Sequence, residues 1–397
     1  MGGDALKLGI FFAAAFFPIG IYTAYLPVWL QWRGLSEPQI TMIYALPLIM
    51  RIVFTPAMTY FADKSGMRRA LVYWLSHGCL ATLLILPFAP SVPAIFAVLT
   101  LYALLWTSIV PLTEALAVEA VKREGSAYGA MRLWGSLSFI AAVMCGGVIV
   151  EAGGPTAALW LMIAASTTVA LAALNLPGPR TAPAPVPEAG QAINFRDAGR
   201  LARSPCFLLF LVSAAAVTAS HAVYNTLITL HWLSLGIDAS VIGVLWATGV
   251  VAEIALFGYS GRIVERFGAT PLMIAGAAAA LLRWVVMTFD PPLAVLFPVQ
   301  MLHSLTYGAA HLGAIQFLSR AVPERYAATG QGLYAAVAAG IGAGLASLAA
   351  GPLYKSVQAG AFLVMALLAL LSLVFAVWLA LRWNGEVLTG DRHGPVA

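Results

Sequence analysis

The chain has 397 residues, of which 61% are apolar and only 9% are Asp, Glu, Lys or Arg, and its mean hydropathy is +0.90. A soluble domain carries about 25% charged residues, so a water-exposed fold of this length is excluded. The formal charge of +5 comes from basic residues scattered through short loops rather than clustered, which argues for membrane topology and against a nucleic-acid partner.

Lys7 precedes an apolar stretch from about Leu8 to Leu30. That is too long for the apolar core of a signal peptide and reads as an uncleaved first helix. At about 20 apolar residues per span, twelve spans are expected, at about 5–31, 38–62, 69–88, 93–121, 127–151, 155–176, 204–233, 238–262, 270–289, 292–319, 326–352 and 358–382. The Pro/Ala-rich stretch 177–203 reads as a linker. The expected organisation is an all-α membrane protein with an N-terminal six-helix bundle (1–176), a cytoplasmic linker (177–203) and a C-terminal six-helix bundle with a short tail (204–397). Cys79, Cys145 and Cys206 lie in apolar stretches and show neither metal-ligand spacing nor a disulfide framework. No cofactor and no metal are expected.

With the N-terminus inside, sixteen of the twenty-one Lys and Arg residues fall on the cytoplasmic side, among them Lys64, Arg68, Arg69, Lys122, Arg123, Arg180, Arg196, Arg200, Arg203, Arg320, Arg325 and Arg392. Only Arg33 and Lys355 fall outside. This bias sets both termini in the cytoplasm. The halves also echo each other. Asp63-Lys64-Ser65-Gly66-Met67-Arg68-Arg69 follows the second span, and Gly261-Arg262-Ile263-Val264-Glu265-Arg266-Phe267-Gly268 follows the eighth. Both turns resemble the cytoplasmic loop signature of the major facilitator superfamily, though Thr59 replaces a glycine in the first and the second lacks the terminal basic pair. That resemblance implies two parallel six-helix repeats with a substrate site at their interface. It makes Asp63, Arg68, Arg69, Glu265 and Arg266 candidate cytoplasmic gate residues, with Arg68 and Arg69 expected to pair with carboxylates. Glu119, beside Lys122 and Arg123, reads as a snorkelled end charge. Trp29, Trp32 and Trp383 read as interface anchors.

An ionisable group at bilayer depth costs about 2.5–3.5 kcal/mol on insertion scales, so each one is a functional candidate. Here these are Arg51, Glu114, Arg132, Glu253, Arg283, His221, His231, His303 and His311. Glu114 and Arg132 lie roughly 8–11 Å deep on consecutive antiparallel spans, and a pair is expected. Pro111 removes an N–H and disturbs the helix near Thr107. In the second half the depths match Glu253 with His311 and Arg283 with His303. His303, Tyr307 and His311 recur at i, i+4, i+8 as one polar stripe. A Glu, an Arg and two His converging among three helices suit proton coupling.

Several strings resemble the 3-phenylpropionic acid transporter (phenyl propionate permease) family of the major facilitators. They are Val110-Pro111-Leu112-Thr113-Glu114-Ala115-Leu116-Ala117, Tyr128-Gly129 with Arg132-Leu133-Trp134-Gly135-Ser136, Gly249 to Glu253-Ile254, Arg283-Trp284, Gln300 to His303, and His311-Leu312; Arg51 and His221 fit as well. Fainter similarity reaches the lactose permease group in the 18-residue spacing of Glu114 and Arg132 and the 20-residue spacing of Arg283 and His303. Thr306 stands where that group carries a second acid, which moves the proton site towards Glu253. The resemblance implies a multi-pass transporter of a bacterial cytoplasmic (inner) membrane, monomeric and not an enzyme. The expected activity is proton symport of a small aromatic carboxylate such as 3-phenylpropionate by alternating access.

Arg132 or Arg51 can clamp a carboxylate, with Glu114 beside Arg132. Tyr22, Tyr25 and Trp134 can cover a ring, and His221 and Asn225 complete the candidate substrate set. Glu253, Arg283, His303 and His311 form the candidate proton-coupling set. A proton-coupled sugar or nucleoside symporter and a proton-antiport exporter stay open as alternatives, since an acid beside an arginine also suits a hydroxylated solute.

Overall fold

The computed structural model describes residues 2–125, 127–178, 199, 201 and 203–388. The linker expected at 177–203 lies almost wholly outside the described residues, as do Arg180, Arg196, Arg200 and Arg392. Every regular element among the described residues is helical. In chain order these include α1 (Gly3–Ala24), α2 (Leu26–Trp32), α3 (Glu37–Ser65), α4 (Arg68–Ile85), α5 (Val92–Trp106), α6 (Ile109–Glu124), α7 (Tyr128–Gly153) and α8 (Pro155–Leu174). Then come α9 (Pro205–Ala219), α10 (Ala222–Ser234), α11 (Ala239–Gly258), α12 (Ser260–Phe267), α13 (Ala269–Met287), α14 (Leu293–Met301), α15 (Ala310–Ala321), α16 (Ala327–Tyr334), α17 (Ala343–Val357) and α18 (Ala361–Arg382).

Eleven helical runs among the described residues are long and apolar enough to cross a membrane. The spans expected at 326–352 and 358–382 fall in one run of 56 residues, Ala327–Arg382. Straight, it would measure about 84 Å against about 30 Å of hydrocarbon core. It is broken at Gln358, which takes a φ of +48°, and by the 3₁₀ turn Gln358–Gly360.

Other spans are interrupted where their sequences dictate. α1 stops at Ala24 ahead of Pro27, whose missing N–H and fixed φ suit the start of α2. α5 and α6 part at Thr107–Ser108, where Pro111 withholds the donor that the Thr107 carbonyl would take in a continuous helix. Two π-helical turns, Ser304–Ala309 and Ala335–Gly342, interrupt the tenth and eleventh expected spans. Periodicity in the sequence does not reveal them.

Contacts divide the chain into two compact units, Met1–Val186 with Tyr224–Val250, and Pro187–Val223 with Val251–Ala397. In the first unit α1 lies along α7, with small residues letting the backbones approach. Ser138 donates to the Ala13 carbonyl at 2.6 Å, and a Cβ on Gly20 would meet that of Ala142 at 2.7 Å. α7 also meets α11 backbone to backbone. A Cβ on Gly147 would lie 2.3 Å from the Ala239 carbonyl oxygen, and one on Gly243 would lie 2.3 Å from that of Val143. The Tyr25 hydroxyl fills the gap between them, donating to the Val143 oxygen at 2.6 Å with the Ala239 oxygen at 3.3 Å. Glu151 closes the end of this seam by accepting from the Ser240 N–H at the start of α11, 2.9 Å away, as a capping carboxylate does.

The start of α1 is capped from another helix. The Glu124 carboxylate accepts from the N–H groups of Asp4 and Ala5 at 3.2 and 3.3 Å, and Arg123 pairs with buried Asp4 at 2.6 Å. A carboxylate at a helix N-terminus satisfies orphan donors and favours the helix dipole.

In the second unit, Phe207, Phe210 and Phe317 form the centre of the core, and the Phe210 and Phe317 rings stack at 4.5 Å. α9 and α18 are joined by a reciprocal pair. Ser213 donates to the Ser372 carbonyl at 3.0 Å, and Ser372 donates to that of Ser213 at 2.8 Å. Trp383, expected at the lipid interface, packs edge-on against Phe317. Trp29 is buried, at 2% exposure, with Arg33 over its ring. Trp32 is the exposed one of the three, at 57%.

Candidate functional site

Arg283 on α13 is fully buried. A guanidinium in that position needs several acceptors, and the run α14–α15 supplies them. Arg283 Nη2 donates to Gln300 Oε1 at 2.6 Å, and Nη1 faces both Thr306 Oγ1 and His303 Nδ1 at 3.3 Å. The guanidinium also lies over the Trp284 ring at 4.8 Å, a cation–π arrangement. His303 turns its other nitrogen, Nε2, to Glu253 Oε2 on α11 at 3.3 Å. Its ring stacks on Tyr307 at 5.5 Å and 6°, and Tyr307 stacks on His311 at 6.2 Å and 10°. His221, between α9 and α10, presents Nε2 to Thr306 Oγ1 at 3.1 Å and Nδ1 to the Val217 carbonyl at 2.8 Å. It meets Trp284 edge-on, while the Trp284 indole N–H donates to Ser220 at 3.0 Å.

Thus Glu253, Arg283, His303 and His311, expected together, share one cluster. Glu253 and His311, matched in depth, interact electrostatically, while the Glu253 carboxylate itself is on His303. The π turn at Ser304–Ala309 lies between His303 and His311; such turns recur at functional sites. His221, expected to touch substrate, is seated in this cluster. Gln300, Thr306, Trp284 and Ser220 are members that the sequence reading did not assign. Gln300, a long polar side chain one helical turn before His303 in an apolar span, was the available signal.

In the first unit, Arg132 Nε lies 3.9 Å from Glu114 Oε1. Its guanidinium sits 4.0 Å over the Phe16 ring, with Phe12 at 6.0 Å. Both charged side chains retain exposure, 31% for Arg132 and 41% for Glu114. Tyr22 packs against Tyr44 at 4.8 Å and Tyr102 at 6.0 Å, and the Tyr44 hydroxyl donates to the Tyr22 carbonyl at 2.6 Å. Arg51 is half-buried on α3 between Pro47 and Pro56. Two expected ring-covering residues are corrected. Tyr25 is fully buried and spends its hydroxyl on the α7–α11 seam. Trp134 is 49% exposed and lies over Gly9 of α1; two residues from Arg132 it points about 200° away around the helix. Asn225 is exposed.

Among the candidate gate residues, Arg68 joins Asp63 (2.7 Å) and Glu119. Glu119 is therefore a partner of Arg68 rather than an end charge beside Lys122 and Arg123. Arg69 donates to the Leu174 carbonyl at 3.1 Å, a cation on the last turn of α8, and not to a carboxylate. Glu265 and Arg266 are exposed on α12, with Arg266 over the Phe267 ring at 5.5 Å. Among the described residues no group of three His, Cys, Asp or Glu could hold a metal ion.

An all-helical chain with membrane-length apolar runs, and with an arginine, a glutamate and histidines hydrogen-bonded inside them, defines a polytopic membrane transporter. The chain belongs to the MFS_1 like family, whose model matches residues 5–378; it is a membrane-spanning transporter of the major facilitator superfamily and not an enzyme. It is 30% identical over 373 residues to the "Probable 3-phenylpropionic acid transporter" of Escherichia coli (strain K12), covering 92% of this chain and 94% of the relative. It is also 30% identical over 356 residues to the maltose permease of Geobacillus stearothermophilus, covering 89% and 88%. Fainter similarity, 23% over 333 residues and 78% of each chain, reaches the lactose permease of Klebsiella oxytoca. The fold matches the crystal structure of the nucleoside transporter NupG with a TM-score of 0.80 at 17% identity, over 96% of this chain and 100% of that one.

Proposed function

We propose that the chain is a proton symporter importing a small aromatic carboxylate of the 3-phenylpropionate kind by alternating access. Glu253 is its proton-exchanging group, with Arg283, His303 and His311 around it, and Arg132 is its carboxylate clamp, with Glu114, Arg51 and Tyr22 in support. The observation that carries this reading is the Glu253–His303–Arg283 arrangement, a half-buried acid held by a half-buried histidine that a fully buried arginine backs. Protonating Glu253 cancels a charge that otherwise has to cross. Arg132 over Phe16 suits a ligand with an anionic end and an aromatic ring, and the E. coli relative supports that substrate class.

Twelve spans follow if Ala327–Arg382 is two spans meeting at Gln358. The bias in Lys and Arg then sets both termini in the cytoplasm of a bacterial inner-membrane protein, acting as a monomer. Asp63 near the end of α3, Arg68 and Arg69 at the start of α4, and Glu265 and Arg266 on α12 act as cytoplasmic gate residues.

Labelled 3-phenylpropionate in proteoliposomes tests the proposal. An inward proton gradient drives accumulation in the wild type, and Glu253→Gln abolishes accumulation while leaving counterflow. Full pH-driven accumulation by Glu253→Gln refutes it. A second reading is a proton-coupled sugar or nucleoside symporter. The 30% identity to a maltose permease and the pairing of Glu114 with Arg132, which suits hydroxyl groups, favour it. Thermal stabilisation by sugars or nucleosides and not by aromatic acids would select it. Accumulation driven by the opposite proton gradient would select export by antiport.

A further inference from the structure

Donors and acceptors around Arg283 favour one direction. A guanidinium donates and cannot accept, so His303 Nδ1, 3.3 Å from Arg283 Nη1, is a bare acceptor. The His303 ring then carries its proton on Nε2, the nitrogen that faces Glu253 Oε2 at 3.3 Å. At the other end a carbonyl accepts and cannot donate, so His221 Nδ1, 2.8 Å from the Val217 oxygen, carries a proton. A second buried cation next to Arg283 would be costly; in the neutral His221 ring Nε2 is an acceptor, and at 3.1 Å it takes the Thr306 hydroxyl proton in preference to the more distant His303 carbonyl at 3.5 Å. Thr306 Oγ1 in turn accepts from Arg283 at 3.3 Å.

We propose that Val217, His221, Thr306, Arg283, His303 and Glu253 form one polarised hydrogen-bond chain in which Thr306 and His221 are positioning residues. They hold Arg283 on His303 Nδ1 and thereby fix the His303 proton on Nε2, aimed at Glu253. The functional consequence rests on Glu253 being the proton-exchanging group. While the chain is intact His303 cannot take a second proton without displacing Arg283, so proton uptake is confined to Glu253.

The charged and titratable groups facing His303 are Glu253 on α11, Arg283 on α13, His221 between α9 and α10, and Tyr307 and His311 on its own helical run. Thr306→Val keeps the shape and removes the hydroxyl. Arg283 loses an acceptor, its hold on His303 Nδ1 loosens, and His303 becomes a second site of proton uptake. Thr306→Ser keeps the chain.

Nitrogen NMR of the full chain labelled with ¹⁵N-histidine in nanodiscs, with His221→Gln and His303→Gln for assignment, reads the tautomers directly. At pH 7 the wild type and Thr306→Ser show His221 protonated on Nδ1 and His303 on Nε2. Thr306→Val shows His303 taking a second proton between pH 8 and 5. His303 protonated on Nδ1 in the wild type overturns the proposal, and so does a Thr306→Val spectrum that titrates like the wild type. If Thr306→Val does not fold, the wild-type tautomers decide alone. These spectra involve no substrate, so accumulation retained by Glu253→Gln sinks the symport reading without altering them.

Discussion

Substituting Gly243 with alanine puts a methyl group where the structure has none to spare. The new Cβ would lie 2.3 Å from the Val143 carbonyl oxygen and 2.9 Å from the Tyr25 hydroxyl. Real Cβ atoms essentially never come within 3.0 Å of such atoms, so α11 must back away from α7 by at least 0.7 Å. The obstacle is helix backbone, which cannot swing aside as a side chain can. Overpacking of this kind costs about 1–3 kcal/mol, and the shift also stretches the 2.6 Å bond from Tyr25 to Val143. Gly147→Ala strikes the same seam from the other side, against the Ala239 oxygen. Once one methyl has parted the helices the second costs less, so the double variant loses less stability than the two single losses combined. Equilibrium unfolding in mixed micelles measures all three. Gly258→Ala on the same helix, with nothing within 4 Å of its added Cβ, serves as a control that is neutral or stabilising. Single variants that unfold like the wild type, or losses that simply add, would refute the reasoning.

Tyr25→Phe removes a buried donor from two carbonyls and costs about 0.5–1.5 kcal/mol, read as a lower unfolding midpoint with transport otherwise intact. Glu124→Gln removes the carboxylate from the start of α1; a lost cap of this type costs about 0.5–2 kcal/mol, and hydrogen exchange at Asp4 and Ala5 should accelerate. Arg132→Lys keeps the charge but loses the planar group over Phe16, so binding of labelled 3-phenylpropionate should weaken tenfold or more, whereas affinity unchanged by the lysine rules out the clamp. Arg68→Ala removes a half-exposed link to Asp63 and Glu119 and should lower stability by less than about 1 kcal/mol per pair.

Composition made the membrane class legible, because 9% charge leaves no other solvent. Depth counting along helices found Glu114 with Arg132 and Arg283 with His303, because a rise of about 1.5 Å per residue is a reliable ruler over a few turns. It set Glu253 level with His311 and did not pair it with His303, because the count to His303 crosses the π turn Ser304–Ala309. Tyr25 misled because an aromatic residue near Tyr22 looks the same in sequence whether it faces a ligand or a seam; the glycines that decide the matter, Gly147 and Gly243, are on other helices. Thr306 was legible only as a missing acid. Its worth lies in a hydroxyl that both accepts and donates, which becomes visible once Arg283 and His221 are known to flank it. The cap on α1 joins residues 4 and 124, a pairing no local pattern encodes.

The α7–α11 seam has a mechanical consequence. Where side chains interlock, a contact can slip through a series of rotamers and part gradually. Here main chain rests on main chain at Gly147 and Gly243, with a single phenol bolted across the join. With no long side chain at the contact to give way, such a join resists gradual sliding.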